Sequence, residues 1–276
     1  MTTEINGQAN NTEAAIYNIS VGSVLSGIGA VLNKEPGEET GKVLLKGMAQ
    51  GAIGGYLVYE SKILIGKIAK QEKLDYGWPA KIVNSAGISI IENAASNRNF
   101  WDQWNLNIGF NRIEFHTKGS FAIKYKILPA AFVLNTYSAI GNKFELESSL
   151  KTGEFIFSGN SYYNSDVTSF TGVTIGTSII IEPGQLKNYD LISHELIHVY
   201  QYQDFNVFNT YVNSPLKALE SNSKFFNEAN NWLHYDFNFF IKRPLYMAEH
   251  FRVDTSTRAG YNKNFFEQEA SYYSNL

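Results

Sequence analysis

The stretch SHELIHVYQYQ, residues 193–203, holds two histidines four positions apart, with a glutamate directly after the first. An α-helix has about 3.6 residues per turn, so His194 and His198 project from the same face and Glu195 lies about 100° round from His194. Two neutral imidazoles placed in this way can occupy two corners of a tetrahedral metal site, while the carboxylate addresses a water molecule on the metal.

The residues around the two histidines favour a metal site over a chance match to the spacing. Three of the next residues are apolar: Leu196, Ile197 and Val199. They predict a largely buried helix, in which two histidines and a glutamate would be costly without a metal ion or other partners. Asn188 or Asp190 can cap this helix, which we expect to run to about Gln203. We therefore predict a Zn²⁺ site with His194 and His198 as ligands.

Composition excludes several classes of function. The chain of 276 residues is 44% hydrophobic, enough for one large domain or two small ones. Its formal charge of −3 and the lack of any run of Lys and Arg argue against a nucleic-acid partner, because phosphate binding needs concentrated positive charge. There are no cysteines, so a transition-metal site must use His, Asp and Glu.

The first part of the chain reads as a glycine-rich helical unit, residues 1–104. Residues 16–33 carry no charge, and residues 43–59 place three glycines on one helical face: Gly47, Gly51 and Gly55. This spacing allows two helices to approach closely, either in a soluble helical hairpin or in a membrane. Lys46 and Gln50 favour the soluble hairpin, with membrane association as the alternative. Residues 78–96 predict a third helix.

The N-terminus and the aromatic content bear on location. Residues 1–15 hold two Glu and neither Lys nor Arg, so they are not a signal peptide, which needs a basic start. The chain has 17 Tyr and 19 Phe with only 18% charged residues, which suits a membrane-adjacent protein. We expect a protein of the cell envelope, periplasmic or associated with the outer membrane, whose export signal lies outside this sequence. The cytoplasm is the alternative.

The middle of the chain alternates apolar and polar residues in the manner of strands with one buried face. The segments LNIGFNRIEF (106–115) and FAIKYKIL (121–128) begin this run, and Phe121, Ile123, Tyr125 and Ile127 share a face. Further strand-like segments are AAFVLNTYSAI (130–140), KFELESSL (143–150), GEFIFSG (153–159) and GVTIGTSIIIEPG (172–184). Residues 174–181 would form an edge strand beside the metal helix, able to bind an extended peptide.

The third metal ligand does not follow from the helix itself. The extended motif with a nearby third histidine needs glycine at 201 and histidine at 204, but this chain has Gln201 and Asp204. Several later carboxylates are candidates: Glu220, Glu228, Glu249 and the pair Glu267 and Glu269. Three isolated histidines also remain open, although a lone histidine is more often a hydrogen-bonded residue than a ligand: His116, His234 and His250.

Two motifs together carry a resemblance to a known group of proteins. HELIHVYQYQ (194–203), followed by YNKNFFEQEASYYS (261–274), resembles poorly characterised bacterial zinc-peptidase-like proteins of the gluzincin type. Their pattern is an HE-x-x-H-x-x-Q-Y helix and a later helix that opens with Asn-Pro-Phe-Glu-x-Glu-Ala. The match holds at five positions: Asn264, Phe266, Glu267, Glu269 and Ala270. It departs at Phe265, where the pattern has proline.

The resemblance covers about residues 170–276, since these proteins also carry a Thr-x-Gly strand before the metal helix. It implies that Glu269 is the third zinc ligand, with Glu267 the lesser candidate. The expected class is α+β, with the helical unit first, an antiparallel β region in the middle and a helical zincin-like C-terminal part. The β-rich and zincin-like parts together form residues 105–276.

Glu195 distinguishes the two functions that this chain could have. In a zinc-dependent peptidase, the metal lowers the pKa of a bound water to about 7, and Glu195 takes the water's proton and passes it to the leaving amine. The substrate would be a peptide or protein. The alternative is a non-catalytic membrane-associated or envelope-assembly protein with a structural or vestigial metal site. A structural site has no need of Glu195, so its presence favours hydrolysis.

Overall fold

A computed structural model describes residues 10–159, 171–253, 260 and 262–274 of the chain. These residues form α-helices and two small β-sheets, which confirms the predicted α+β class. Helices dominate both ends of the chain, and the strands lie between them. The first sheet is antiparallel and the second is mixed, so the expectation of a purely antiparallel middle region was too narrow.

The N-terminal helices are α1 (Asn11–Leu32), α2 (Thr40–Gln71) and α3 (Gly77–Ala95). Asn10 caps α1, because its side-chain oxygen accepts a hydrogen bond from the Glu13 amide at 3.0 Å. The predicted helical hairpin is confirmed, although α2 continues well beyond residue 59. Among the described helices, α1 alone is long and apolar enough to cross a membrane, a property that core helices of soluble proteins share.

Glycines let α1 and α2 approach until their backbones are in contact. A Cβ added to Gly51 would lie 2.3 Å from the carbonyl oxygen of Gly22, and one added to Gly55 would lie 2.3 Å from that of Asn18. A Cβ on Gly47 would lie 2.7 Å from the Ala30 side chain. The three predicted glycines therefore do face α1, and no larger residue fits there without a shift of a helix.

Gly51→Ala is expected to lower the free energy of unfolding by about 2–3 kcal/mol, because the added methyl group meets backbone that cannot rotate away. Gly41→Ala is the matched control, since nothing lies within 4 Å of its Cβ position near the start of the same helix. That variant should be neutral or up to about 1 kcal/mol more stable. Urea unfolding measures both, and equal effects would contradict the close-contact interpretation.

The first sheet consists of β1 (Gln103–Ile108), β2 (Asn111–His116) and β3 (Ala122–Ile127) in antiparallel order. β3 is as predicted, whereas the predicted strand at 106–115 is a hairpin of β1 and β2 that turns at Gly109. The apolar face of β3 is turned outward: Phe121, Ile123 and Tyr125 are 66%, 60% and 44% exposed. The prediction that this face is buried is therefore wrong.

The face of the first sheet that lies against α3 is polar. Its buried side chains are Gln103, Asn105, Asn107, Arg112 and Glu114. Arg112 donates from Nη2 to Glu92 of α3 at 2.7 Å and from Nε to Glu114 at 2.8 Å. Because this hydrogen-bonded network satisfies the buried charges, the polar face of the sheet packs inward and the apolar face is left outside.

Glu114 is expected to make stability depend on pH in the acid range. Burial alone would raise the pKa of Glu114, but Arg112, His234 and Lys126 outweigh it and hold that pKa well below its usual range. A carboxyl group with a lower pKa in the folded chain stabilises the fold above its unfolded pKa of about 4.3, and this stabilisation is lost as pH falls toward the folded pKa. Glu114→Gln should cost about 3 kcal/mol at pH 7, and less at each step below about pH 5.

Denaturant unfolding at a series of pH values measures this effect. The control is Glu147→Gln, which removes an exposed carboxylate paired with Lys151 at 2.8 Å. The control should follow the wild-type pH profile, because an exposed pair contributes little. A cost of Glu114→Gln that stays constant from neutral to acid pH would contradict the assignment.

The second sheet has the order β4 (Lys143–Phe144), β5 (Phe155–Ser158), β7 (Ser178–Ile181), β6 (Gly172–Ile175). The predicted strand at 172–184 is thus a hairpin, which turns at Gly176 with φ of +63°. β7 is paired on both sides, so the prediction of a single edge strand over 174–181 is wrong. Among the described residues, β6 lies at this edge of the sheet and β4 lies at the opposite edge.

One predicted strand is a helix instead, and a second is largely helical. Residues 130–140 belong to α4 (Pro129–Ala139), and residues 143–150 divide between β4 and α5 (Leu146–Thr152). Pro129 suits the first turn of a helix, and the Asp236 carboxylate accepts hydrogen bonds from the amides of Ala130 and Ala131 at 2.8 and 2.7 Å. This cap comes from a distant residue, so the local sequence does not show it.

The C-terminal helices are α6 (Tyr189–Asp204), α7 (Asn213–Asn222), α8 (Lys224–Trp232), α9 (Asn238–Val253) and α10 (Phe265–Ser274). α6 packs against α2 on one side and α10 on the other. The main core cluster joins all three helices to the second sheet through Ile65, Ile179, Leu196, Val199 and Ala270. Helix α6, which carries His194 and His198, therefore shares its core with both the N-terminal and the C-terminal parts of the chain.

Candidate metal centre

Helix α6 presents the histidines as predicted. Asn188 caps it by accepting a hydrogen bond from the Leu191 amide at 3.1 Å, and every residue from 191 to 203 is buried. The His194 and His198 rings lie 4.8 Å apart between centroids, on the face that meets α10. The apolar residues of α6 hold it in the core, so the position of both imidazoles is set by packing.

Helix α10 supplies the carboxylate. Asn264 caps it, since its side-chain oxygen accepts hydrogen bonds from the amides of Phe266 and Glu267 at 2.9 and 3.4 Å. The helix thus starts as expected even though residue 265 is phenylalanine where the gluzincin pattern has proline. Glu267 lies in the first turn and is 4% exposed, facing α6.

Three ligand atoms form a nearly equilateral triangle. His194 Nε2 and His198 Nε2 are 3.2 Å apart, and Glu267 Oε2 lies 3.2 Å from each. A metal ion bound at about 2.1 Å from all three atoms would sit about 1 Å above their plane, with angles of about 100° between ligands. These angles are close to tetrahedral and leave a fourth position. This buried His–His–Glu cluster can therefore hold a metal ion.

Glu269, to which the resemblance assigned the third ligand position, is not part of this group. Its Oε1 accepts a hydrogen bond from Lys62 at 2.9 Å, and its Oε2 accepts one from Gln201 at 2.9 Å. Glu267 and Glu269 are two positions apart, about 200° round a helix, so only one of them can face the histidines. The structure places Glu267 there, which corrects the expected ligand set.

The remaining candidates for the third ligand lie elsewhere in the fold. His116 and His234 contact Glu114 at 3.3 and 3.6 Å, and Glu249 pairs with Arg252 at 2.8 Å. Asp204, at the end of α6, pairs with Lys62 at 2.8 Å. Among the described residues, the metal-binding group contains none of Glu220, Glu228 or His250 either.

Hydrogen bonds to the far ring nitrogens orient both histidines. His198 Nδ1 lies 2.8 Å from Gln201 Oε1, and His194 Nδ1 lies 3.4 Å from Ser274 Oγ. The Ser274 hydroxyl donates to the Ala270 carbonyl, so its oxygen is left to accept from His194. With the proton on Nδ1 of each ring, the Nε2 lone pairs are available to a metal ion.

Helix α9 closes the centre with two side chains that the sequence did not single out. Tyr246 donates to Glu267 Oε1 at 3.0 Å, and Lys242 donates to the His198 carbonyl at 3.1 Å. Burial lowers the pKa of Lys242 to about 8, although nearby carboxylates oppose the shift. The spacing of 242 and 246, one turn apart on a helix, was the available signal, but it is too common to be specific.

Charge at the centre favours a cation. Burial lowers the pKa of His198, but the charge and hydrogen bond of Glu267 together with the charge of Glu195 outweigh it, so that the net shift is upward. Glu195 lies nearby and is also buried, 5% exposed. A positively charged imidazole is stabilised here by the same carboxylates that would stabilise a metal ion in its place.

Glu195 is held against β6. Thr174 Oγ1 donates to Glu195 Oε2 at 2.7 Å and to the Glu195 carbonyl at 2.9 Å. A Cβ at Gly172 would lie 3.0 Å from Glu195 Oε1, so glycine at this position lets the carboxylate lie against the strand. The predicted catalytic residue is therefore fixed by the edge strand that precedes the metal helix.

An apolar cavity of about 680 Å³ lies on the other side of Gln201 and Phe266. It is lined by residues of α1, α9 and α10, with Glu269 and Asp204 at its polar end. Gln201, Phe266 and Glu269 are in its lining and His194, His198 and Glu195 are not, so the cavity adjoins the centre without including its histidines.

Comparison of the chain with protein-family models, with curated proteins and with solved structures found no match in any of the three. The gluzincin resemblance therefore stays a prediction that rests on the quoted residues. The assignment of function rests on the geometry of the centre.

Proposed function

We propose that this chain is a zinc-dependent peptidase, with His194, His198 and Glu267 as metal ligands and Glu195 as the general base. The triangle of 3.2 Å between the three ligand atoms carries this proposal. Zinc suits a set of two imidazole nitrogens and one carboxylate oxygen with near-tetrahedral angles. Three protein ligands with an open fourth position are typical of catalytic zinc, whereas structural zinc usually has four.

Zinc, when bound, supplies a Lewis acid that lowers the pKa of water and polarises a carbonyl group. Glu195 does the proton chemistry. Thr174 occupies Glu195 Oε2, so Oε1 is the atom that takes the proton of the attacking water and passes it to the leaving amine. Lys242 is half-buried and brings a positive charge beside the centre, where it can stabilise an oxyanion.

The substrate in this proposal is a peptide or protein in extended form. Among the residues that the structure describes, β6 is the edge strand next to Glu195, and its position supports binding by addition of a strand. The backbone of the substrate would then run alongside Gly172 and Thr174. This places a peptide carbonyl close to the carboxylate that handles the proton.

A structural metal site in a non-catalytic envelope protein is the second candidate, and burial favours it. His194, Glu195, His198 and Glu267 are 4–8% exposed, so a substrate cannot reach them in this arrangement, in which Lys242 and Tyr246 of α9 contact the centre. Large apolar side chains on α1 and α2, among them Ile16 at 59% and Leu45 at 67%, are exposed and support association of this hairpin with a membrane or an envelope protein. A location in the cell envelope belongs to the same proposal.

Removal and return of the metal test the function. We expect about one zinc ion per chain, hydrolysis of a denatured general protease substrate such as casein, loss of this activity on chelation, and its return with Zn²⁺. Removal of zinc should also lower the thermal midpoint, because a ligand that binds only the folded chain stabilises it. Stoichiometric zinc without hydrolysis would favour the structural site.

A further inference from the structure

We infer that Gln201, Glu269 and Lys62 form a positioning relay that fixes the tautomer of His198 and so sets the affinity of the centre for its metal. The inference rests on the proposed metal centre and not on its catalytic activity. It gives a role to Glu269, the carboxylate that the resemblance had assigned to the metal itself. It also connects helix α2 of the N-terminal unit to the site.

The amide of Gln201 has no freedom in this arrangement. Its Nε2 donates both protons, one to the Phe266 carbonyl at 2.8 Å and one to Glu269 Oε2 at 2.9 Å. Only Oε1 is left to face His198 Nδ1, at 2.8 Å, and it can only accept. The proton of a neutral His198 must therefore be on Nδ1, which directs the lone pair of Nε2 toward the metal position.

Lys62 holds Glu269 in the state that the relay needs. Its Nζ has three donors and three acceptors: Asn18 Oδ1 at 3.0 Å, Asp204 Oδ2 at 2.8 Å and Glu269 Oε1 at 2.9 Å. Both Lys62 and Glu269 are buried, 0% and 1% exposed, so an ionised Glu269 depends on this cation. If the Gln201 amide were flipped, its oxygen would face the Glu269 carboxylate in place of the N–H group that donates to it. The negative charge on Glu269 therefore excludes the flipped orientation.

The chain contains a matched control in the same core. Lys81, also fully buried, pairs with Glu154, which accepts a hydrogen bond from Gln203 at 3.3 Å. Gln203 lies two positions after Gln201 on α6, and its Oε1 accepts a hydrogen bond from Asn84 at 2.7 Å where that of Gln201 faces a histidine. This second lysine–glutamate–glutamine chain has the same chemistry and burial, but it does not end on a metal ligand.

Zinc affinity, measured by competition with a chromophoric chelator, tests the relay. Gln201→Leu and Glu269→Gln should each weaken zinc binding by about 10- to 100-fold, the range for partners of metal-ligating histidines. Gln203→Leu and Glu154→Gln should leave it within about twofold. Denaturant unfolding of the metal-free proteins shows which variants remain folded. Zinc affinity is then compared between folded variants of the same type, Gln201→Leu with Gln203→Leu and Glu269→Gln with Glu154→Gln. Equal changes in both pairs would overturn the inference.

The tautomer of His198 gives a readout that a structural role alone would not change. In the metal-free wild type, ¹⁵N chemical shifts of the imidazole should show a proton on Nδ1, alone in the neutral ring and together with one on Nε2 in the charged ring. In Glu269→Gln, where the charge is gone, we expect a mixture of Nδ1 and Nε2 forms. A wild-type His198 with a proton on Nε2 and none on Nδ1 would contradict the relay, whatever the activity of the protein. Loss of hydrolysis with an intact Nδ1 proton and intact zinc affinity would instead count against the peptidase proposal.

Discussion

Glu195→Gln should lower the rate of peptide hydrolysis about a thousandfold and leave the bound zinc unchanged. The amide keeps the size of the side chain and can still accept the Thr174 hydrogen bond, but it cannot take a proton from water. The metal ligands are untouched, since His194, His198 and Glu267 make their contacts without Glu195. Metal analysis and a protease assay on the same preparation measure both quantities.

Glu228→Gln serves as the control, because Glu228 is an exposed glutamate on α8, outside the centre. It should retain both zinc and activity. If Glu195→Gln hydrolyses the substrate as fast as the wild type, Glu195 is not the general base. If neither protein hydrolyses anything and both hold zinc, the metal is structural.

Glu267→Gln should weaken zinc binding at least about a thousandfold, well beyond the roughly 10- to 100-fold typical of residues that only orient a ligand. A neutral amide oxygen replaces the charged oxygen that lies 3.2 Å from both histidine nitrogens. The two remaining ligands are too few for a stable zinc site. Zinc content after dialysis gives a first reading, and chelator competition gives the change in affinity.

Glu267→Gln and Glu269→Gln together decide which carboxylate binds the metal. The structure predicts a much larger loss of affinity from the first substitution than from the second. The reverse order would restore the ligand set implied by the gluzincin resemblance. Both residues are buried on α10, at 4% and 1% exposure, so general damage to the helix should be similar in the two variants.

Helix α6 could be predicted because its signals are local. The cap at Asn188, the four-residue spacing of the histidines and the apolar residues between them all lie in or next to α6. Each depends only on helix geometry. The glycine face of α2 was predictable for the same reason, since a spacing of four places Gly47, Gly51 and Gly55 on one side of any helix.

The choice between Glu267 and Glu269 could not be made from local signals. It depends on how α10 is rotated against α6, and that rotation is set by partners far away in sequence. Glu269 meets Lys62, which lies 207 positions earlier in the chain. A resemblance in motif carries no information on such a contact, and the sequence pattern leaves both glutamates equally suitable.

The two sheets show the same limit. Alternation in β3 predicted which residues share a face, but not which face packs inward, because that depends on Glu92 of α3 meeting Arg112. Residues 130–140 have the β-branched and aromatic content of a strand, yet the Asp236 carboxylate, more than a hundred positions later, caps them as a helix. Local propensity is outweighed here by tertiary contacts.

Helix α9 should make release of the metal slow. The rate of release should also depend only weakly on the concentration of a competing chelator. It covers the ligands through Lys242 and Tyr246, buries only Asn238 of its own described residues, and carries Pro244 in its interior, which removes one backbone hydrogen bond. Because so few of its residues are buried, we expect α9 to open as a unit before the ion leaves. The rate of zinc loss should therefore reach a plateau as chelator concentration rises, and the plateau rate is the rate at which α9 opens.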